Sequence, residues 1–267
     1  MEQNLIWKPV VQIRQKPSVD SMVTDEIFYG MEVTVHKALY NGWLKICTYY
    51  GYEGYIRQDD IVCTEVGRER RELVRSGFAD VYVSPDVKAG VMLTLVRGSI
   101  VTILIRESNG YTEVQLLDGR IGYIKTSQLA PYEEHLLIKN EKQLRRQLVD
   151  NAMAYLGTPY RYGGKTPVGI DCSGLTFMAY FLSGVIIYRD SKMEPEYPVH
   201  EIEKRNLLPG DLIYFPGHVA LYLGEQRFIH ATDKLGIEKV AVQSMNPEDE
   251  EYRKDLAEGV LQYGSIF

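Results

Sequence analysis

Two stretches of this chain carry the same landmarks at a constant separation of 68 residues. Asn41-Gly42-Trp43 returns as Asn109-Gly110-Tyr111, and Gly54-Tyr55-Ile56 returns as Gly122-Tyr123-Ile124. Pro17, Gly30, Val33 and Gly51 meet Pro85, Gly98, Val101 and Gly119 at the same offset. A gapless register over so many positions means two copies of one supersecondary unit. Within each copy, alternating runs such as Glu32-Val33-Thr34-Val35 and Trp43-Leu44-Lys45-Ile46 are broken by Gly and Asn turns, the mark of short β-strands. About five or six such strands in roughly 60 residues predict a small all-β barrel. The barrels are expected at 1–66 and 73–132, with the charged stretch Gly67-Arg68-Glu69-Arg70-Arg71-Glu72 between them.

After Leu129-Ala130-Pro131 the texture changes, which puts a boundary near 132–139 and a third domain at 140–267. Helical spacing from Glu141 to Leu156 sets Leu144, Leu148, Ala152 and Tyr155 on one face. Gly157 and Pro159 are its expected stops. The apolar segment Leu175 to Leu182 predicts a second helix. Strand-like runs follow at Asp211–Phe215, Val219–Leu223 and Arg227–His230. A cysteine-bearing helix ahead of an antiparallel sheet is the α+β order of papain-like folds.

Bulk properties narrow the function. Hydrophobic residues make up 45% and charged residues 25%, so the chain is globular. The 20 tyrosines, against 7 Phe and 2 Trp, suit β-rich surfaces and polar clefts. With a net charge of −6 and no basic block, nucleic acid and anionic membranes are repelled, so neither is an expected partner; a monomer is expected. The start, Met1-Glu2-Gln3-Asn4-Leu5-Ile6-Trp7, has no signal-peptide pattern, and no apolar stretch is long enough to span a bilayer. With three well-separated cysteines this predicts a cytoplasmic, reducing setting, unless a leader has been removed. Cys47 and Cys63 lie among apolar strand residues and are expected to be buried structural thiols.

Cys172 is different. Asp171 is a candidate N-cap, which sets Cys172 in the first helical turn. The free amide hydrogens and dipole of a helix start favour a thiolate, and the same amides suit an oxyanion. A thiolate also needs an imidazole. Of the five histidines, His36, His135 and His200 sit in ordinary polar contexts and are expected to be solvated or satisfied. His218 opens one strand and His230 ends the next, with the short turn Gly224-Glu225-Gln226 between them. In a hairpin both histidines fall at the same end, so one could take the Cys172 proton while the other fixes its tautomer. Two unrelated strand histidines remain open at this point. A zinc site of Cys172, His218 and His230 lacks a second cysteine and supporting spacing, so no metal or cofactor is expected.

The motifs Asp-Cys-Ser-Gly, Gly-Asp-Leu-Ile-Tyr-Phe, Gly-His-Val-Ala-Leu-Tyr-Leu-Gly and Phe-Ile-His-Ala occur in the order of the NlpC family of peptidoglycan cysteine peptidases, which residues ~140–267 resemble. The Gly-Trp-x-x-Ile and Gly-Tyr-Ile patterns resemble bacterial SH3-like domains. The resemblance implies Cys172 as nucleophile, His218 as base, His230 as the third polar residue and Tyr160 near the oxyanion. It also notes Tyr162 where the family usually has Trp, a departure that touches packing. Two SH3-like modules before such a domain look like the γ-D-glutamyl-L-diamino-acid endopeptidases. That group cuts murein peptides with a free N-terminal L-Ala after γ-D-Glu, and members without a signal peptide resemble recycling enzymes. Asp171, Ser173, Asp190, Ser191 and Tyr52 are the substrate-binding residues this likeness implies. Tyr52 is kept only in the first copy; Arg120 stands at its place in the second. A wall-binding module with a degenerate catalytic domain, or an acyltransferase or amidase on the same fold, are the competing classes. The first would lack the nucleophile or the base.

Overall fold

A computed structural model describes residues 2–65, 70–132 and 140–267. His135, the expected boundary at 132–139 and the part of the charged stretch before residue 70 lie largely or wholly outside these. The chain divides into two compact units, Met1–Glu133 and Glu134–Phe267.

The first unit holds two sheets of seven strands, more than the five or six expected per copy. The first contains β1 (Glu2–Ile6), β2 (Val10–Arg14), β3 (Val23–Phe28), β4 (Glu32–Ala38), β5 (Trp43–Thr48), β6 (Glu53–Arg57) and β7 (Ile61–Glu65). The second contains β8 (Arg71–Val74), β9 (Phe78–Tyr82), β10 (Val91–Val96), β11 (Ile100–Ser108), β12 (Tyr111–Gln115), β13 (Ile121–Lys125) and β14 (Leu129–Pro131). The order β3-β2-β6-β5-β4-β1-β7 recurs strand for strand as β10-β9-β13-β12-β11-β8-β14.

Even single contacts repeat: Arg14 pairs with Tyr55, and Tyr82 with Tyr123. The glycine of Gly-Tyr-Ile explains why. A Cβ on Gly54 would lie 2.3 Å from the Ile13 side chain, and one on Gly122 would lie 2.4 Å from Val81. The β6–β2 and β13–β9 crossings close only where no side chain intervenes.

The copies meet through the turn after β3. The Tyr29 carbonyl accepts from the Ile100 amide at 2.8 Å. Its hydroxyl accepts from the Leu117 amide at 2.6 Å, and its ring joins the second copy's core with Val81, Leu95 and Val114.

The thiols of this unit depart from expectation. Cys63 is exposed and Cys47 half-buried. β7 lies at the edge of its sheet, where an apolar-looking run keeps one side in solvent.

In the second unit α1 (Glu141–Met153) is capped by Asn140, whose side chain accepts from the Gln143 amide. It buries Leu144, Leu148 and Ala152, as the spacing predicts, but ends before the expected Leu156. The chain there turns into Gly157, which adopts φ 82° and donates its amide to Val240. A small hairpin, β15 (Lys165–Thr166) and β16 (Gly169–Ile170), leads into α2 (Cys172–Phe181), every residue of which is buried. Then come β17 (His200–Ile202), β18 (Leu212–Phe215), β19 (His218–Gly224), β20 (Arg227–Ala231), β21 (Val240–Ser244), α3 (Lys254–Ala257) and β22 (Gln262–Ser265). The strands form one antiparallel sheet of order β17-β22-β18-β19-β20-β21. α2 packs on α1 and on β19 and β20, which brings the helix start to the strands that carry the histidines. No helix among the described residues is long and apolar enough to cross a membrane.

Candidate active site

Asp171 builds the start of α2. Its Oδ1 accepts from the Gly174 amide at 2.6 Å, and its Oδ2 accepts from the Gly163 amide at 2.8 Å. Arg189, 1% exposed, grips the same carboxylate with Nη1 at 3.1 Å and Nη2 at 3.2 Å, and donates to Ser173 Oγ at 2.8 Å. A buried carboxylate is tolerated when it is paired and bonded in this way. Gly174 lets the turn fit: a Cβ there would sit 2.3 Å from the Gly164 carbonyl oxygen.

Cys172 is buried at this helix start, with the amides of Val219 and Ser173 directed at its sulfur. The expected thiolate is not the resting form. Burial, followed by the negative charge of Asp171, pushes the thiol up to about 11. The two amides and Arg189 pull it back by less. The helix start favours the anion as expected, but loss of solvent outweighs it.

The histidines lie on a diagonal that crosses three strands. Leu221 pairs with Ile229, and continuing that register by one residue sets Ala220 opposite His230. His230 in turn pairs with Ala241. His218, His230 and Gln243 therefore share one face of the sheet, each a diagonal neighbour of the next. His218 Nε2 lies 2.7 Å from His230 Nδ1, and His230 Nε2 lies 2.8 Å from Gln243 Oε1. Phe215 packs on the His218 ring and Phe228 on the His230 ring. The hairpin turns through Glu225 and Gln226, at φ 51° and 60°. This left-handed pair has the twist a two-residue hairpin needs, without the glycine or asparagine that usually signals it.

Burial is the leading cause that pushes both imidazoles below their ordinary range. For His218, Arg253 adds to it while Asp233, Asp255 and Asp171 oppose it. For His230, His218 and Arg253 add to it while the Gln243 bond and Asp255 oppose it. Thiol and imidazoles are thus all neutral at rest.

This has a consequence for stability. An unfolded imidazole binds its proton near pH ~6.5, whereas folded His230 resists protonation to well below that. The unfolded state then holds more protons, so stability falls as pH drops through this window, by up to ~1.4 kcal/mol per pH unit for this one group. His230→Gln should flatten the acid side of the stability–pH curve by about that slope. Urea melts of both proteins at several pH values measure it, and parallel curves would contradict a neutral buried His230.

Tyr160 is half-buried and close enough to Cys172 for their charges to interact. Burial, followed by Cys172, raises its phenol far above the ordinary range, so it stays a hydrogen-bond donor. Tyr162 is 60% exposed, so the family's Trp is replaced here on the surface and not in the core. Asp190 and Ser191 are half-buried, and Asp190 bonds the Tyr188 hydroxyl. In the Arg-Asp-Ser stretch it is Arg189 that reaches Asp171 and Ser173. Tyr52 belongs to the first unit, in the turn between β5 and β6, with its hydroxyl 3.4 Å from the Thr24 carbonyl oxygen. His36 lies 3.9 Å from Glu53, and His200 is exposed on β17. Among the described residues no group of three or more His, Cys, Asp or Glu side chains is arranged to hold a metal ion.

The sequence reading missed Arg189, Gln243 and Arg253. The one signal for Gln243 was a polar side chain inside the strand Val240-Ala241-Val242-Gln243-Ser244.

A thiol at a capped helix start, beside a hydrogen-bonded imidazole pair on an antiparallel sheet, defines a papain-like cysteine peptidase. The model of the NlpC/P60 family matches residues 157–254, and that of the bacterial SH3 domain matches residues 9–62. The chain is 40% identical over 261 residues to dipeptidyl-peptidase 6 of Lysinibacillus sphaericus, covering 94% of this chain and 95% of that one. It is 26% identical over 222 residues to the gamma-D-glutamyl-L-lysine dipeptidyl-peptidase of Bacillus cereus, covering 76% and 65%. A crystal structure of an NlpC/P60 family protein from Bacillus cereus shares the fold over 98% of both chains, with a TM-score of 0.78 at 19% identity. The chain belongs to the NlpC/P60 family of cysteine peptidases.

Proposed function

We propose that the protein hydrolyses murein peptides that begin with a free L-Ala. The cut falls between γ-D-Glu and the following L-diamino acid, diaminopimelate or Lys, and releases L-Ala-γ-D-Glu for recycling in the cytoplasm. The observation that carries the catalytic part is the continuous line from Gln243 through His230 to His218, the residue next to Val219, whose amide is directed at the Cys172 sulfur. The substrate class rests on the likeness along nearly the whole chain to a dipeptidyl-peptidase 6, and on the gamma-D-glutamyl-L-lysine specificity in the second relative's name.

In this reading Cys172 Sγ passes its proton to His218 Nδ1 as the γ-carbonyl of D-Glu approaches. The thiolate attacks the carbonyl carbon. The Val219 and Ser173 amides lower the cost of the sulfur anion, and the Tyr160 hydroxyl donates to the oxyanion. His218 Nδ1–H then protonates the leaving α-amine, and a thioester remains. Water, deprotonated by His218, attacks the thioester and restores the thiol. His230 holds the far side of His218 throughout.

The expected products decide the bond. Incubation with L-Ala-γ-D-Glu-diaminopimelate and with its Lys counterpart should give L-Ala-γ-D-Glu by mass, and a different fragment would overturn the assignment. The free amine is tested by acetylating it. An ammonium held by a half-buried carboxylate, here assigned to Asp190, forms a charge-assisted bond of roughly 1.5–3 kcal/mol net. Acetylation should therefore lower kcat/KM by about tenfold or more. Asp190→Asn should lower kcat/KM for the free peptide and narrow that gap. Equal rates on free and acetylated peptides would favour a wall-cleaving endopeptidase instead.

A further inference from the structure

Beyond the two imidazoles the hydrogen-bonded line continues through residues with no reacting atom to touch. Arg253 Nη1 lies 2.6 Å from Gln243 Oε1, the same oxygen that His230 Nε2 approaches at 2.8 Å. Arg253 is itself held by Asp255, with Nε to Oδ1 at 2.8 Å and Nη2 to Oδ2 at 2.7 Å. We propose that Arg253, clamped by Asp255, sets the proton positions of both imidazoles through Gln243, and that these are positioning residues for proton transfer at Cys172.

Donors and acceptors fix the order along this line. A guanidinium has five N–H groups and no acceptor, so the end of the Gln243 amide that faces Arg253 has to be its oxygen. His230 Nε2 faces that same oxygen and must carry a hydrogen. A neutral imidazole has one N–H, so His230 Nδ1 is bare and accepts. His218 Nε2 is then the donor across the 2.7 Å contact, and His218 Nδ1 is bare. Only a bare nitrogen can receive the thiol proton. Burial of both rings keeps them neutral, so neither can escape this logic by taking a second proton.

Without Arg253 the amide is free to turn over. Its NH2 would then face His230 Nε2 and favour the opposite order: a proton on His230 Nδ1, a bare His218 Nε2, and N–H on His218 Nδ1. That state has no base for the thiol. The guanidinium thus removes the unproductive arrangement, and Asp255 keeps it in place with a two-point ion pair. Besides each other, the charged groups that act on the two rings are Arg253, Asp255, Asp233 and Asp171. Of these, only Arg253 reaches the far end of the line by a hydrogen bond.

The consequence for catalysis rests on His218 being the base; the tautomers themselves do not. Long-range 1H–15N spectra of the full-length Cys172→Ala protein, with 15N-labelled histidine and near neutral pH, should show both rings with the hydrogen on Nε2. Adding Arg253→Met or Gln243→Leu should give mixed tautomers for His230 and His218. Gln243→Glu, which keeps an acceptor of the same shape, should restore the single form. With Cys172 present, Arg253→Met should lower kcat by roughly tenfold or more with KM little changed, since a wrong tautomer is costly in triads of this kind. Pure Nε2–H tautomers in folded Arg253→Met and Gln243→Leu proteins, with only melting temperature lowered, would reduce these residues to packing and overturn the proposal. Mixed tautomers in folded Gln243→Glu would overturn it too. If tautomers follow the substitutions but kcat does not, the tautomer assignment stands and the role of His218 as base is what fails.

Discussion

Cys172→Ala should leave a folded protein with no measurable hydrolysis. The substitution removes one sulfur from the first turn of α2, and with it the acceptor of the Val219 and Ser173 amides, but leaves the Asp171 bonds that build that turn. Asp171 still accepts from the Gly174 and Gly163 amides and still pairs with Arg189. Losing a small buried group costs on the order of 1 kcal/mol, well within the margin of a stable domain. Burial of the thiol gives a second reason to expect stability, because it keeps Cys172 protonated, so its removal leaves no charge unpaired. Cys172→Ser should be nearly as inactive, since a hydroxyl is a far weaker acid than a thiol and a poor nucleophile while it keeps its proton. Circular dichroism with a discontinuous peptide assay measures both. Full turnover by a folded Cys172→Ala protein would end the assignment of the nucleophile.

His218→Ala should cost two to four orders of magnitude in kcat, on the order of what general-base catalysis provides when base and nucleophile act together. Its loss leaves His230 Nδ1 facing a gap and the thiol with no proton acceptor. His230→Gln or His230→Asn should be milder and keep partial activity. An amide oxygen can accept from His218 Nε2 and hold the ring, although the link to Gln243 is broken. The three variants compared at saturating peptide separate the roles. Equal losses in all three would contradict a base supported by an orienting partner.

The parts of this molecule that local chemistry determines were legible before any coordinates. The gapless repeat anticipates two sheets of identical strand order, because a shared spacing of turns and of Gly54 and Gly122 can close only one way. Asp171 ahead of Cys172 reads as a cap because capping is a matter of three residues. What stayed hidden depends on pairing between distant segments. Gln243 joins His230 only because β20 pairs with β21 at His230 and Ala241, and nothing local distinguishes that register from its neighbours. Arg189 looks like a surface cation until Asp171 and Ser173 surround it. Cys63 was misplaced for the opposite reason: a strand that reads as core can still lie at an edge.

The joint between the two β copies is heterologous. A turn of the first meets the strand and loop of the second, so the two surfaces differ and no twofold axis closes the pair. Contacts of this kind propagate if each unit carries both surfaces. The second copy carries a different residue at the place of the plug. The residue 68 places after Tyr29 is Arg97, whose Nε donates to the Arg75 carbonyl of its own copy at 2.9 Å. The second copy keeps the register of the first but has no aromatic plug at this place, where Arg97 turns back onto its own copy.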